Sequence, residues 1–385
     1  MSGANRPSPS SSLDWRLARN IVVKAALLIL LVNIGFAWLK PLPFLGRVSA
    51  YNHLLPGRTR LPYGENPSQE YSLSPFSLEA LLASHEIAAT LPDRDEYRVV
   101  LIGDSSAWGF LLPANQTMAA YVNAASLTTA SGRPVHLFNL GYPIMSLMKD
   151  LVLLDRAMDY HPDLIVWLVT LESFPTDKQL YPPLLQHNPD TVRRLIRTHD
   201  LTLDPTDPRL VDPSFWDQTL IGQRRSLADL LRLQLYGIPW AATGIDQDIP
   251  ETYTARMEDL PADATFQGFG PSQLTPDDLA FDVLAAGIER AGTTPVLIVN
   301  EPMFVSRGQN SDIRYNFFYP RWAYDEYRRW LAERSGTEGW DYADLWEAVP
   351  PSEFTDSAIH YSPSGAQILA DRIAALILER ADQAP

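Results

Sequence analysis

Apolar and polar positions follow two patterns from about residue 98 onwards: short apolar runs, and longer stretches with helical spacing. The apolar runs are bounded by turn residues and predict buried strands at residues 99–102, 136–140, 164–169 and 295–300. The helical spacing predicts helices over about 117–127, 146–160, 276–291, 321–335 and 363–379, with a short element at 342–346. Because strands and helices alternate, we expect a three-layer α/β domain with a parallel sheet and helices on both faces.

The longest apolar segment lies near the N-terminus, at residues 21–39. About twenty apolar residues suffice to cross the hydrocarbon layer of a bilayer. Lys24 can snorkel at one end, and Trp38 suits the opposite interface. No small-residue cleavage site directly follows the apolar core, which favours an uncleaved signal anchor over the alternative of a cleaved signal peptide. We therefore expect a cytoplasmic tail at 1–19 and a single membrane-spanning helix at 20–39 in contact with lipid, with the remaining chain outside the cytoplasm.

Two other segments fall outside the strand–helix alternation. Residues 40–97 are punctuated by proline, glycine and serine and end in a helical stretch at 77–90, which predicts a stalk or docking segment. The domain at 98–385 carries an insertion at about 174–275 with a leucine-rich amphipathic stretch at 220–236. Three interpretations of this insertion remain open: a lid over the site, a patch on the membrane surface, or a helix packed on the core.

Composition and charge exclude several classes of function. The formal net charge of -15, with no basic stripe, argues against a nucleic-acid partner. Because the chain has no cysteine, it has no disulfide framework and no thiol nucleophile. No glycine-rich phosphate loop, His-Glu-x-x-His or EF-hand pattern occurs, so we expect neither a metal nor a cofactor.

The first candidate for chemistry stands where the first predicted strand ends. Residues 99–102 are apolar and stop at Gly103-Asp104-Ser105. Reactive groups in open α/β sheets collect where strands end and loops lead into helices, so Ser105 is placed as a nucleophile would be. The alternative is an ordinary Asp-Ser turn.

The second candidate lies near the C-terminus, in the short loop before the last predicted helix. His360 is preceded by Asp356 and followed by Ser362 and Pro363, which suit the N-cap and first position of that helix. A nucleophilic serine needs a base within hydrogen-bond reach, and the base needs an orienting carboxylate. Of the seven histidines, His360 has both an acidic neighbour and this setting. The alternative is a solvated loop histidine.

Together these blocks resemble the SGNH/GDSL hydrolase superfamily. The first block is Gly103-Asp104-Ser105 with Gly109, and the last is Asp356 with His360. Between them, Asn139-Leu140-Gly141 resembles the second block, and residues 162–169 resemble the third strand. The resemblance covers residues 98 to about 370 and implies a flavodoxin-like sheet.

The resemblance also implies roles for individual residues. Ser105 would be the nucleophile, His360 the general base and Asp356 the carboxylate that orients it. The backbone N–H groups of Ser105 and Gly141 would form the oxyanion hole.

Two departures from the family pattern concern this site. Glu172 stands where the family has an asparagine whose side-chain amide helps to bind the oxyanion. An ionised carboxylate would repel a developing oxyanion, so Glu172 is protonated by burial, turned away, or used in another role. The spacing from Asp356 to His360 is one residue longer than the usual Asp-x-x-His.

Polar residues at strand ends complete the candidate site. They are expected at its rim: Asp104, Thr170, Glu172, Asn300 and Glu301. For Asn300 and Glu301 the alternative is a simple strand terminator. The aromatic segment 314–329 suits stacking on a sugar ring, with core packing as the alternative.

The resemblance implies a membrane-anchored serine esterase or O-acyltransferase. Its expected substrate is a cell-surface or exported glycan that carries ester groups, above all O-acetyl groups. A small acyl ester is the other expected substrate. Acyl transfer would add a membrane acyl-donor protein as a partner. The alternatives are a catalytically impaired SGNH-like module that binds or assembles envelope polysaccharide, and a lipid-acting esterase.

Overall fold

A computed structural model describes residues 15–55, 57–63, 78–89, 95–243, 249 and 252–383. Within these residues the strands are β1 (Tyr97–Ile102), β2 (Val135–Asn139), β3 (Leu164–Val169), β4 (Val296–Asn300) and β5 (Asp341–Asp344). The helices are α1 (Trp15–Leu39), α2 (Leu42–Arg47), α3 (Ala50–Leu54), α4 (Leu78–Ala83), α5 (Glu86–Ala89), α6 (Ser105–Trp108), α7 (Met118–Ala124), α8 (Leu147–Ala157), α9 (Pro183–Gln186), α10 (Pro189–Thr198), α11 (Arg224–Thr243), α12 (Phe281–Ala291), α13 (Arg321–Glu338) and α14 (Pro363–Gln383).

The five strands form one parallel sheet in the order β2-β1-β3-β4-β5. Alternate residues of β1 point to opposite faces, so Val100 joins the apolar core under α8 and α12, whereas Val99 joins the core under α7 and α14. Every residue of β1 and β3 is buried, as expected for strands covered on both faces. The predicted fold class, a parallel sheet with helices on both faces, is therefore confirmed.

Parallel pairing brings the carboxyl ends of the strands to one edge. Ile102 pairs with Trp167 of β3, and Val169 pairs with Asn300 of β4. The loops that follow β1, β2, β3 and β4 therefore leave from the same edge, and that edge carries the candidate site.

Three predicted elements differ from those observed. The helix expected over 276–291 begins only at Phe281, because Thr275 caps a separate 3₁₀ turn at Pro276–Asp278. The short element expected at 342–346 is β5, the edge strand. The stretch expected at 77–90 forms two helices, α4 and α5, separated where His85 pairs in a bridge with Arg58; residues 77 and 90 lie outside the described residues.

Of the helices in the described residues, α1 alone is long and apolar enough to cross a membrane. It has 25 residues, and its most apolar window reaches a mean hydropathy of 2.3. A membrane anchor and a signal sequence both fit this helix. Most of the expected tail, residues 1–14, lies outside the described residues, whereas residues 15–19 belong to α1.

The described part of segment 40–97 docks on the domain. The Arg60 guanidinium lies 3.9 Å from the ring centroid of Trp108, and it donates to the Gly109 carbonyl at 2.9 Å. The Trp108 indole N–H in turn donates to the Leu61 carbonyl at 2.7 Å. This segment therefore supports the helix that begins at Ser105.

Candidate active site

Ser105 is the first residue of α6, directly after the turn that ends β1. The Asp104 carboxylate caps this helix by accepting from the Ser106 N–H at 2.8 Å. The turn depends on Gly103, because a Cβ there would lie 3.0 Å from the Ala107 Cβ and 3.1 Å from the Leu168 Cβ. This tight packing places the Ser105 side chain at the carboxyl edge of the sheet.

Ser105, His360 and Asp356 form a continuous chain of hydrogen bonds. The His360 Nε2 lies 2.8 Å from the Ser105 Oγ, and the Nδ1 lies 2.8 Å from the Asp356 Oδ1. A neutral imidazole with its proton on Nδ1, oriented by a carboxylate, leaves Nε2 free to accept the serine proton. The longer spacing between Asp356 and His360 is accommodated within the loop.

The loop that carries His360 is held on several sides. The Thr355 N–H donates to the His360 carbonyl at 2.9 Å, and the Phe110 ring packs against the imidazole at a centroid distance of 4.6 Å. From the insertion, the Arg256 N–H donates to the Thr355 carbonyl at 3.0 Å, and its guanidinium donates to the Pro351 carbonyl at 2.7 Å. No sequence motif distinguishes Arg256 from a surface arginine.

The electrostatics of this loop keep Asp356 ionised. Partial burial raises the pKa of Asp356, but the hydrogen bond from His360 and the attraction to the protonated form of that imidazole outweigh it, so the pKa lies below its usual value. The carboxylate therefore stays charged at neutral pH. It can then stabilise the imidazolium that forms when His360 takes a proton.

The two expected oxyanion donors differ in their surroundings. The Ser105 N–H belongs to the first turn of α6, where helix N–H groups have no acceptor within the helix. Gly141 packs against α6, since a Cβ there would lie 2.6 Å from the Trp108 nitrogen. Its N–H, however, donates to the Asn139 Oδ1 at 3.0 Å. The oxyanion role of Gly141 stays a prediction, and it requires Asn139 to give up this bond.

Glu172 follows β3, in a 3₁₀ turn, and its carboxylate is paired. Lys178 donates to it, and the Gln267 side-chain amide donates to both oxygens at 2.9 and 3.1 Å. The three residues line a cavity of about 480 Å³ together with Ile144, Met145, Asp177, Tyr181 and Phe318. Because both oxygens of the Glu172 carboxylate accept hydrogen bonds, this pairing favours the interpretation that Glu172 has a role other than oxyanion binding.

The remaining residues expected at the rim are buried. The Thr170 hydroxyl lies 2.9 Å from the Tyr319 hydroxyl, and the Asn300 amide donates to Asp344 at 2.8 Å. Both side chains therefore lie in the interior, below the sheet edge. Asp104 and Glu301 are likewise only 3% and 0% exposed, behind Ser105.

A buried charge network, made of Asp104, Glu301, Lys149 and Asp150, lies behind the serine turn. The Lys149 ammonium is fully buried and donates to the carbonyls of Gly103 at 2.7 Å and Tyr142 at 2.6 Å. It also lies 2.6 Å from the Asp150 Oδ1. Lys149 thereby joins the turn after β1 to the loop after β2.

Burial dominates the protonation of the acids in this network. It raises the pKa of Asp150 to about 6 despite the nearby Lys149 charge. Burial and the charge of Asp104 raise the pKa of Glu301 well above its usual value. Burial therefore favours the neutral form of Glu301, whose carboxyl group accepts a hydrogen bond from the Ser106 hydroxyl.

Comparisons with known proteins were made by sequence and by structure. No protein-family model matches the chain, and no curated protein sequence matches it. Solved structures do match. A lipolytic protein of the G-D-S-L family from Veillonella parvula has 11% identity and a TM-score of 0.35, with 73% of this chain and 97% of that chain covered.

Two other matches have similar scores. A lipase/acylhydrolase from Enterococcus faecalis has 16% identity and a TM-score of 0.37, covering 74% of this chain and 96% of that chain. A carbohydrate acetylesterase from Sinorhizobium meliloti has 13% identity and a TM-score of 0.35, covering 74% and 100%. All three TM-scores lie below 0.5, so the chemistry of the site is inferred from its own side chains.

Proposed function

We propose that this chain is a serine esterase or O-acyltransferase in which Ser105, His360 and Asp356 act as a triad, called the proposed triad below. The observation that carries the proposal is the hydrogen-bond chain, with both links at 2.8 Å. Nucleophilic catalysis of this kind needs a nucleophile, a base and a carboxylate that orients the base. Ser105, His360 and Asp356 supply these groups in that order, each within hydrogen-bond distance of the next.

In the first half-reaction, the Ser105 oxygen attacks the ester carbonyl while His360 takes its proton at Nε2. The tetrahedral intermediate expels the alkoxide, which takes that proton from His360 and leaves as an alcohol. In the second half-reaction, water or a sugar hydroxyl gives its proton to His360 and attacks the acyl group on Ser105. The proton then returns to Ser105, so that the enzyme is regenerated with an acid or a new ester as product.

The proposed oxyanion hole consists of the Ser105 and Gly141 N–H groups. Loss of one such donor typically reduces kcat about 10² to 10³-fold. Because the Gly141 N–H is bonded to Asn139, we expect slow turnover of small esters unless the substrate displaces that bond.

For the natural substrate, we propose an O-acyl, above all O-acetyl, group on a cell-surface or exported glycan. Helix α1 would anchor the domain at the outer surface of the cell membrane as a single-pass protein. A cavity of about 420 Å³ beside Asp356 is lined by Tyr253, Phe317 and Phe318. Tyr253 and Phe317 are half or more exposed, and such rings offer flat apolar faces to a sugar ring.

The test is hydrolysis of p-nitrophenyl acetate by the full chain in detergent, with labelling by a fluorophosphonate. We expect wild type to turn over and to be labelled at Ser105, and Ser105→Ala and His360→Ala to lose turnover. Ser352→Ala, an exposed serine near the same loop, is the matched control and should keep wild-type activity. Equal slow turnover by wild type and both triad variants, with no labelling, would contradict the proposal.

A second candidate function is a glycan-binding or assembly module without catalysis. The occupied Gly141 N–H favours it, because it reduces the donors available to an oxyanion, and the Glu172 carboxylate, which accepts from Lys178, supplies no donor of its own. An inert Ser105 together with retained binding of an acetylated polysaccharide would support this module.

A further inference from the structure

The insertion contacts helix α1 well before that helix ends. Most of α1 is exposed, but Asn33 and Ala37 are buried. The Ile221 N–H of the insertion donates to the Asn33 Oδ1 at 3.0 Å, and the Asn33 amide donates to the Ile29 carbonyl at 2.8 Å. A polar side chain in the most apolar helix of the chain is thus satisfied by the insertion.

The parts of the chain around the end of α1 form a collar, defined here as residues 42–54 and 211–238. The two segments of the collar contact each other, and both pack on the domain. The Tyr51 N–H donates to the Gln234 Oε1 at 3.1 Å, and Leu233 is fully buried with Tyr51 and Ala80. Helix α2 packs closely on α4. The collar is therefore a fixed part of the fold.

The outer surface of the collar is apolar. Its large exposed side chains include Phe44, Trp216, Ile221, Leu231, Leu235 and Ile238. Along α11, Leu231, Leu235 and Ile238 recur at helical spacing and form one outward stripe, while Leu230 and Leu233 face the protein. Exposed apolar patches of this extent on soluble proteins mark a surface that binds a partner or a membrane.

The length of α1 places this surface relative to a bilayer. From Asn33 the helix continues to Leu39, which is about 9 Å further at 1.5 Å per residue. If the bilayer ended below Asn33, the apolar residues 21–32 would span only about 18 Å, against a hydrocarbon thickness of about 30 Å. A helix that spans the bilayer must therefore carry Ile221 and its neighbours into the bilayer.

We propose that the collar is embedded in the membrane leaflet that holds the C-terminal end of α1, with lipid as the occupant of its apolar surface. The proposal rests on the anchor role of α1 in the proposed function. Arg224 and Arg232 are exposed at the start and on the side of α11, and Arg232 also pairs with Asp229 at 3.2 Å. Exposed arginines at these positions suit phosphate headgroups. The domain would then be held in a fixed orientation on the bilayer, since the collar is part of the fold.

The absence of cysteine makes the chain suitable for site-directed spin labelling. Single variants Trp216→Cys and Leu235→Cys on the collar would be labelled in the full chain, reconstituted into phosphatidylcholine–phosphatidylglycerol vesicles. Ile29→Cys, on the exposed part of α1, serves as the reference for lipid. Asp371→Cys on α14, which covers the other face of the sheet, serves as the reference for water.

The readout is the ratio of collision rates with oxygen and with a water-soluble nickel chelate. We expect this ratio at Trp216→Cys and Leu235→Cys to exceed that at Asp371→Cys several-fold and to approach that at Ile29→Cys. A high, lipid-like ratio at Ile29→Cys together with low, water-like ratios at both collar sites would overturn the proposal. That result would indicate that a protein partner covers the apolar surface. Water values at Ile29→Cys as well would overturn the anchor, and the proposal with it, whereas the esterase assay would be unaffected.

Discussion

Two polar regions meet at Ser105, and they differ in their exposure to water. On one side, His360 and Asp356 sit in a loop with side chains 12% and 25% exposed. On the other, the buried charge network is at most 3% exposed, and Lys149 holds two backbone carbonyls there. The comparison indicates a division of labour. The groups that we propose exchange protons lie near solvent, whereas the groups that hold the turn in place are enclosed and carry a large desolvation cost.

The largest effect is expected from the exposed side. Ser105→Ala and His360→Ala should each reduce kcat for p-nitrophenyl acetate on the order of 10⁴-fold or more, and the double variant should lose little beyond either single one. The reason is that a nucleophile without its base, or a base without its nucleophile, performs no part of the reaction. The measurement is single-turnover and steady-state kinetics on the three variants.

If the two losses multiplied in the double variant, Ser105 and His360 would be acting separately. The 2.8 Å contact between them would then have no catalytic meaning. Unchanged far-UV circular dichroism is the control that the fold is intact.

The third residue of the proposed triad should give a smaller loss. Asp356→Asn should reduce kcat about 10³ to 10⁴-fold, because an amide can favour the wrong imidazole tautomer. A change in kcat of less than about tenfold would assign the orienting role elsewhere.

The pKa of Asp356 also predicts a pH dependence of stability. That pKa is lowered in the folded state, so Asp356 stabilises the fold above its ordinary value of 3.8 and this contribution is lost as pH falls through the lower folded pKa. Urea unfolding below pH 4 should show a shallower loss in Asp356→Asn than in wild type. Parallel pH profiles for the two proteins would contradict this.

The same division separates what the sequence could predict from what it could not. Ser105 and His360 were recognisable because each stands at a strand end or before a capped helix, which are local patterns. Their meeting follows from the parallel topology, which the alternation of strands and helices predicts. The partner of the Gly141 N–H was not predictable, because it depends on the orientation of one amide side chain.

Lys149 was missed for a physical reason. Its stretch of α8 reads as an amphipathic helix, and a lysine followed by an aspartate there is ordinarily solvent-exposed. Only the packing of two loops over α8 makes it a buried cation. The insertion was likewise left with three interpretations, because its apolar positions have the same spacing whether they face protein or lipid.

On the enclosed side, Lys149→Met should destabilise the fold by about 3–5 kcal/mol, since it leaves Asp150 buried without its cation. It should also reduce kcat, because the Gly103 carbonyl loses its donor next to Ser105. The measurements are urea unfolding and ester turnover.

Lys178→Met is the matched control: its pair with Glu172 is partly exposed, and we expect a loss of about 1 kcal/mol or less. Equal losses in the two variants would remove the distinction between the regions.

At pH 5 the smallest effect is expected for Glu301→Gln, which replaces a buried acid whose neutral form is favoured with a neutral amide. At pH 5 its stability should lie within about 1 kcal/mol of wild type. The pKa of Glu301 is raised in the folded state, so its contribution is full below the ordinary value of 4.5 and is lost as pH rises towards the folded pKa. The variant has no such group, so its stability relative to wild type should increase with pH, by up to about 1.4 kcal/mol per pH unit. Urea unfolding at pH 5, 6 and 7 measures this, with the exposed Glu338→Gln as control. If the difference in unfolding free energy between variant and wild type stayed constant from pH 5 to 7, Glu301 would be ionised in the folded state. The buried charge network would then carry one more negative charge than we propose.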